Sequence, residues 1–283
     1  MPMPPSILLL LPALALSAVV FLAPFLWLAS TSFRTQAEGS LLLADGFSIH
    51  NYARLLADPF FLEVLLRTLA YSIVTTAISL VVALPVARFI VTRAGRLKGI
   101  LLALMLVPLV SGALLPSLGM LHLMGPLGVV NGAARLLGLP TVKLLGTPAG
   151  ILIGLVQSFL PLMVLPLVNT LARLPGDLEQ AAASLGASAA ATWRRVILPL
   201  ATPGIVAGSV LVFCATFTSF VTPQVLGQGH IATFGTVAYQ QAGQVLDWPF
   251  ASALAMVALA MIGLLQAAIV IGSRLSRRQE ARQ

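Results

Sequence analysis

Charge is the first thing this sequence lacks. Of its 283 residues only 8% are charged, against the roughly 25% that keeps a soluble domain's surface wet. Hydrophobic residues make up 59% and mean hydropathy is +1.02, so water is not the main solvent of this chain. Cysteine is nearly absent too. Cys214 stands alone, which excludes an intrachain disulfide and reads as a small apolar packing group. The two lysines, Lys98 and Lys143, do not follow glycine, so there is no GxxxxGK[ST] loop whose lysine could reach the β and γ phosphates of a nucleotide. His50, His122 and His230 are scattered. With no HxxxH or CxxC spacing and no GxSxG elbow, neither a metal site nor an activated nucleophile can be assembled from the sequence, and catalysis by this chain is not expected.

What is abundant is long apolar runs. Crossing a hydrocarbon core about 30 Å thick takes about 20 mostly apolar residues in a helix. Six such runs can be marked, at residues 7–30, 68–91, 99–121, 147–171, 203–221 and 250–271. Arg88 is the only charge inside any of them, and its position near one end predicts a side chain that snorkels to the headgroups. A β-barrel would show apolar and polar residues alternating over about ten positions, and runs such as 100–110 or 253–265 do not alternate. Pro12, Pro24, Pro85, Pro108, Pro116, Pro161 and Pro166 fall inside the runs. Membrane bundles tolerate such prolines because neighbouring helices satisfy the freed carbonyls, and kinked helices are expected. The fold class is therefore an all-α membrane protein with six transmembrane helices, read as a single transmembrane domain over residues 1–283.

The net charge of +8 could point to nucleic acid, but the cations follow topology instead. Arg88, Arg93, Arg96 and Lys98 sit between runs two and three, Arg173, Arg194 and Arg195 between four and five, and Arg274, Arg277, Arg278 and Arg282 in the tail. That places 11 of the 16 cations on one side, which the positive-inside rule makes cytoplasmic. An even number of spans puts both termini there. The first run is too long for the roughly 7–15-residue core of a cleavable signal peptide and is read as a retained span.

Two loops face the other side. Residues 31–67 carry Glu38, Asp45, Asp58 and Glu63, half of the eight acidic residues. Ile49, Tyr52, Leu55 and Leu56 recur there at helical spacing, and Asp58–Pro59 is a stop signal, so a short surface helix is expected. Packing on the bundle and docking to a partner both remain open for it. Residues 122–146, rich in glycine and proline, are expected to hold one short interfacial helix.

The loop over residues 173–202 reads RLPGDLEQAAASLGASAAATWRRVILPLAT. Pro175 and Gly176 break the preceding helix, Asp177 and Gln180 match a D-x-x-Q capping box, and Gly186 supplies a stop. Between them, Leu178, Ala181, Ala182 and Leu185 fall on one helical face. Half of that stripe is alanine, which lets another surface approach the backbone and suits insertion into a partner's groove. Amphipathicity alone equally allows packing on the chain's own helices.

Gln180-Ala181-Ala182, then Leu185-Gly186-Ala187 and Val196-Ile197-Leu198-Pro199, resemble the EAA loop of permeases in binding-protein-dependent ABC importers, a MetI-like fold. Residues 68–85, 125–138 and 159–167, together with VTPQVLG and the later Asp247-Trp248, are similar to the polyamine-type subgroup, which carries spermidine, putrescine or other small solutes. The family's glutamate aligns with Gln180, and the acid stands one place earlier at Glu179. The resemblance implies an inner-membrane permease without an ATPase site, bearing no cofactor itself, with ATP and magnesium on a dimer of partner ATPase subunits. It further implies a second, related permease and a periplasmic solute-binding protein as partners, with membrane lipid around them. The coupling loop would comprise Asp177, Leu178, Glu179, Gln180, Ala181, Ala182, Leu185, Gly186 and Pro199, with Arg194 and Arg195 as cationic contacts or topology anchors. Polar residues of the fourth and fifth runs, Gln157, Ser158, Thr216, Thr218, Ser219, Thr222 and Gln224, are the expected pathway lining, although such hydroxyls also bond to their own helix or glue helices together. An ion-coupled transporter would need intramembrane Asp, Glu or His, and the runs have none. A purely structural membrane partner is the other rival.

Overall fold

The computed structural model describes residues 5–36, 43–44, 46–175 and 177–280, with only the backbone described at 5–11, 14, 179 and 270–280. The described residues are helical apart from turns and one isolated bridge between Gln36 and Leu43. In chain order the α-helices are α1 (Pro5–Ser32), α2 (His50–Ala57), α3 (Pro59–Thr92), α4 (Lys98–Val110), α5 (Leu114–Met124), α6 (Val129–Leu136), α7 (Pro148–Leu171), α8 (Leu178–Ser184), α9 (Ala189–Thr192), α10 (Leu198–Thr218), α11 (Val221–Leu226), α12 (Phe234–Gln240) and α13 (Trp248–Glu280). Two compact units emerge, one from residues 1–63 with 237–283 and one from residues 64–236.

In the first unit α1 runs along α13. The expected surface helix is α2, and it packs. Tyr52 lies 5.1 Å from the Phe33 ring with its hydroxyl 2.8 Å from Ser32 Oγ, Asn51 donates to the carbonyls of Ser32 and Arg34, and Leu55 is buried. Ile49 and Leu56 stay exposed. The Asp58–Pro59 stop holds: Asp58 ends α2 and its Oδ1 accepts from the Phe60 N–H as α3 begins. Asp247 starts α13 by the same chemistry, accepting from the Phe250 N–H at 3.1 Å. Its other oxygen pairs with Arg54 at 3.0 Å, and the Arg54 guanidinium lies 4.2 Å from the Phe250 ring centre.

The second unit is built on α7, whose Ile151, Met163, Val164 and Leu167 are fully buried. Its closest partner is α10. A Cβ added at Gly204 would fall 2.6 Å from Thr170 Oγ1 and 2.9 Å from the Pro166 carbonyl, and one at Gly208 would fall 2.6 Å from Met163 Sδ. Two glycines four residues apart thus let the backbones approach, the way helices associate where lipid supplies no hydrophobic drive. Ala83, Ala87 and Ile90 of α3 complete this core with Val212 and Ala201 of α10.

Six helical runs are long and apolar enough to cross a membrane: Ala15–Ser32, Pro59–Thr92, Leu114–Leu136, Pro148–Leu171, Ala189–Thr218 and Trp248–Ile269. The count agrees with the sequence; three of the bounds do not. First, α3 begins at Pro59, and its 34 residues give about 50 Å of helix, longer than a bilayer core. Second, the expected run at 99–121 is not one helix. It breaks at Ser111, Gly112 and Ala113, where Gly112 takes φ +72°, a conformation that glycine adopts without steric cost. The third candidate span is instead Leu114–Leu136, through α5 and α6, with extended backbone at Gly125 between them and the 13-residue α4 ahead of it. Third, the fifth run extends back to Ala189 through α9 and a π turn at Trp193–Ile197, while Ser219 ends it before Thr222 and Gln224. The helices continue through Pro12, Pro24, Pro85, Pro108, Pro161 and Pro166.

Candidate functional site

The loop after α7 starts where Ala172, Arg173 and Leu174 close the last turns on the carbonyls of Val168, Thr170 and Leu171. Gly176 lies outside the described residues, as does the side chain of Glu179. The helix predicted between the two glycines is α8, but the capping box at its start does not form. Asp177 sits in helical backbone (φ −90°, ψ −7°) and makes no side-chain cap bond. A capping carboxylate needs extended backbone to reach the amides ahead of it. The cap stands one helix later, at Ser188 (φ −68°, ψ 156°), whose hydroxyl accepts from the Ala191 N–H at 3.2 Å and starts α9. The signal was a serine directly ahead of an alanine run.

The stop at Gly186 forms as expected. Gly186 has φ +79°, its N–H donates to the Ala183 carbonyl at 2.9 Å, and the Ala187 N–H donates to the Ala182 carbonyl at 3.0 Å. These two bonds make a Schellman motif, which satisfies carbonyls that the helix end would leave open. The apolar stripe is split. Leu178 and Ala182 are half-buried, whereas Ala181 and Leu185 face outward with Gln180, and Leu185 is 89% exposed. Within its unit α8 packs mainly on α9.

The second limb of the loop is rooted instead. Ile197 and Ala201 are buried among Ala83, Ala87, Leu167 and Leu171, and Trp193 packs against the same core. Arg88, expected to snorkel, lies with its guanidinium 4.9 Å from the centre of the Trp193 ring, a cation–π contact linking the end of α3 to the loop. The π turn from Trp193 to Ile197 follows from Pro199. Proline has no N–H and crowds the carbonyl four residues back, so the turn widens and the Leu198 N–H reaches the Trp193 carbonyl. Arg194, Arg195 and Pro199 are exposed. The loop is thus an exposed small-faced helix joined to a continuous helical run that penetrates the core.

The expected pathway residues are dispersed within this unit. Ser158 is buried, and Gln157 lines an apolar groove with Ile78, Met105, Pro108 and Ile153. Thr216 is buried with no hydrogen-bond partner for its hydroxyl among the described residues. Thr218 bonds back to the Cys214 carbonyl, and Ser219 closes α10. Thr222 belongs to α11, where its hydroxyl lies 3.0 Å from that of Ser117 on α5, and Gln224 sits on the same short helix. Sequence reading missed α3, where Thr68, Ser72, Thr75 and Ser79 are buried along one face and the hydroxyls of Thr75 and Ser79 have no partner among the described residues. Their i, i+4, i+7, i+11 spacing was the available signal. Among the described residues no three His, Cys, Asp or Glu side chains group to hold a metal.

The family model of the binding-protein-dependent transport system inner membrane component matches residues 68–280, which takes in α7, the whole of the loop and α10. This chain belongs to that family. The permease is 35% identical over 248 residues to the spermidine/putrescine transport system permease protein PotB of Salmonella typhimurium strain SL1344, covering 87% of this chain and 85% of the relative. It is 34% identical to PotB of Escherichia coli K12, over 87% and 89% of the two chains. The molybdenum transport system permease protein ModB of Azotobacter vinelandii is 32% identical over 61% of this chain and 76% of its own. In fold the permease matches a chain of a bacterial ABC transporter involved in importing the acidic polysaccharide alginate, with TM-score 0.71 and 17% identity over 95% and 94% of the two chains. It is a multi-pass inner-membrane permease subunit of a binding-protein-dependent ABC importer.

Proposed function

We propose that this permease carries a small, polyamine-like solute handed over by a periplasmic binding protein, and that ATP-hydrolysing partner subunits drive it through α8. The ATPase subunits carry the ATP and magnesium, this chain has no cofactor or catalytic site, and a second, related permease completes the membrane pore. Both termini lie in the cytoplasm. The observation that carries the coupling role is Leu185, 89% exposed at the end of a helix held by Gly186 and joined to a rooted second limb. An exposed leucine with small neighbours fits a hydrophobic groove on another protein. Gln180 keeps hydrogen-bonding capacity at the family's glutamate position without its charge. Arg194 and Arg195 add cationic rim contacts, where mutation changes the association rate more than the affinity.

The pull enters through α9 and the π turn and moves α10 along α7. Hydroxyls of Ser158, Thr216 and Thr218, with Gln157, Ser219, Thr222 and Gln224, are the proposed polar lining. Similarity to PotB supports the solute class, since the relatives in two organisms are named for spermidine and putrescine. Among the described residues of the six apolar runs the carboxylates are limited to Glu63, near the start of α3, so selection rests mainly with the binding protein and with lining dipoles.

The test is co-purification of the ATPase subunits with a permease carrying Leu185→Arg. An unpaired charge in an apolar groove costs several kcal/mol, so association is expected to drop about 100-fold or more, while the permease still inserts. Full retention of the ATPase subunits would remove α8 from the coupling role. Uptake of labelled putrescine and spermidine, with molybdate as control, tests the solute.

A further inference from the structure

The Arg-rich end of α3 and the root of the coupling loop enclose a groove of about 460 Å³ that neither the loop nor the pathway uses. One wall is apolar: Leu84, Pro85 and Phe89 of α3 line it, with the Trp193 ring opposite. Arg88 and Arg93 supply its charge, and no carboxylate lines it. Arg88 is held in place by the cation–π contact to Trp193, and the Trp193 indole N–H is buried without an acceptor among the described residues. The groove therefore offers hydrogen-bond donors and positive charge at one end, continuous with greasy walls along the rest.

We infer that this groove binds one acidic phospholipid, its phosphate on Arg88 and Arg93 and an acyl chain along Leu84, Pro85 and Phe89. Two features select a lipid over other anions. From Leu84 to Thr92 the helix rises about 12 Å, the depth from a headgroup into the first part of the hydrocarbon, which suits an amphipathic ligand lying along a span. Inorganic phosphate has nothing to place against the apolar wall. An acidic protein surface, in turn, cannot follow the groove inward, because Leu84 and Pro85 lie about two turns inside an apolar helix. The bound phosphate would supply the acceptor that the Trp193 N–H lacks among the described residues, so the lipid fixes the root of the coupling loop. The basic and apolar halves match an anionic lipid by charge complementarity, and a volume of 460 Å³ lies within the ordinary range of ligand sites, about 300 to 1,000 Å³.

The experiment uses the intact importer, purified and exchanged into nanodiscs of phosphatidylcholine with a titrated share of phosphatidylglycerol, with retained lipid counted by native mass spectrometry. One phosphatidylglycerol per permease is expected to be kept about tenfold in preference to phosphatidylcholine, and excess inorganic phosphate does not displace it. Arg93→Gln changes an exposed side chain and leaves the fold intact, so it isolates the charge; the preference should fall severalfold, and further in the double variant with Arg88→Gln. Trp193→Phe keeps the stacking ring but removes the N–H, and should weaken retention by a smaller factor. Equal retention of the two lipids, displacement by inorganic phosphate, or a preference unchanged in the arginine variants would each overturn the proposal. So would loss of the ATPase subunits from Arg93→Gln with lipid preference intact, since the groove would then be a protein contact.

Discussion

Asp177 and Ser188 show how one side chain's role depends on its backbone. Both precede a short helix, and both residue types are good caps, yet only Ser188 has the extended ψ that turns its oxygen toward the amides ahead. A capping box can be read from spacing; whether the preceding turn presents it cannot. Asp247 combines two functions that substitution separates. Asp247→Asn keeps an oxygen for the Phe250 N–H and loses only the Arg54 ion pair, an exposed pair worth about 0.2–1 kcal/mol. Asp247→Ala also loses the cap and should cost about 1 kcal/mol more, measured by unfolding in mixed detergent. Gly186 carries a similar prediction. Its φ of +79° is a left-handed conformation that costs an L-residue about 1–2 kcal/mol, so Gly186→Ala should fray α8 and lower ATPase subunit retention roughly fivefold to tenfold. A quantitative pull-down tests it, and unchanged retention would show that the Schellman turn does not present α8.

At the scale of elements, α10 lies in close backbone contact with α7. Gly204 leaves no space for a Cβ: the Pro166 carbonyl, a backbone atom, lies 2.9 Å from where it would sit. Gly204→Ala is expected to destabilise the helix pair by about 1–3 kcal/mol through overpacking. Thr170→Ala should recover only part of this, because it removes the hydroxyl and leaves the carbonyl. The π turn ahead of Pro199 is the other adjustable element. Restoring a donor with Pro199→Ala lets the turn tighten, rotating α9 and α8 by about 100° relative to α10. ATPase subunits should still bind while solute-stimulated hydrolysis falls, which a comparison of basal and stimulated ATP turnover would reveal. The helical stop at Asp58–Pro59 and the short helix α2 were legible in spacing and turn chemistry. The break at Gly112 was not, since Ser111-Gly112-Ala113 lies inside an unbroken apolar run and hydropathy does not register a backbone reversal.

For the whole molecule, the proposed orientation rests on where the cations stand. Eleven of 16 fall on one side of the predicted spans, and cysteine chemistry can check it because Cys214 is the only native thiol. In a Cys214→Ala background, Leu185→Cys should react with an impermeant maleimide only from the cytoplasmic face and Leu136→Cys only from the periplasmic face; both residues are about 90% exposed, at 89% and 90%. Labelling from the reverse sides would invert the topology. The sequence alone determined the solvent, the number of crossings, the charge asymmetry and the position of the EAA-like loop, because hydropathy, charge and spacing are properties of consecutive residues. Tertiary structure decided which face of α8 stays open, that Arg88 stacks on Trp193, and which hydroxyls are buried. Each of these depends on what stands opposite a side chain, and in a membrane bundle the neighbours come from distant parts of the chain.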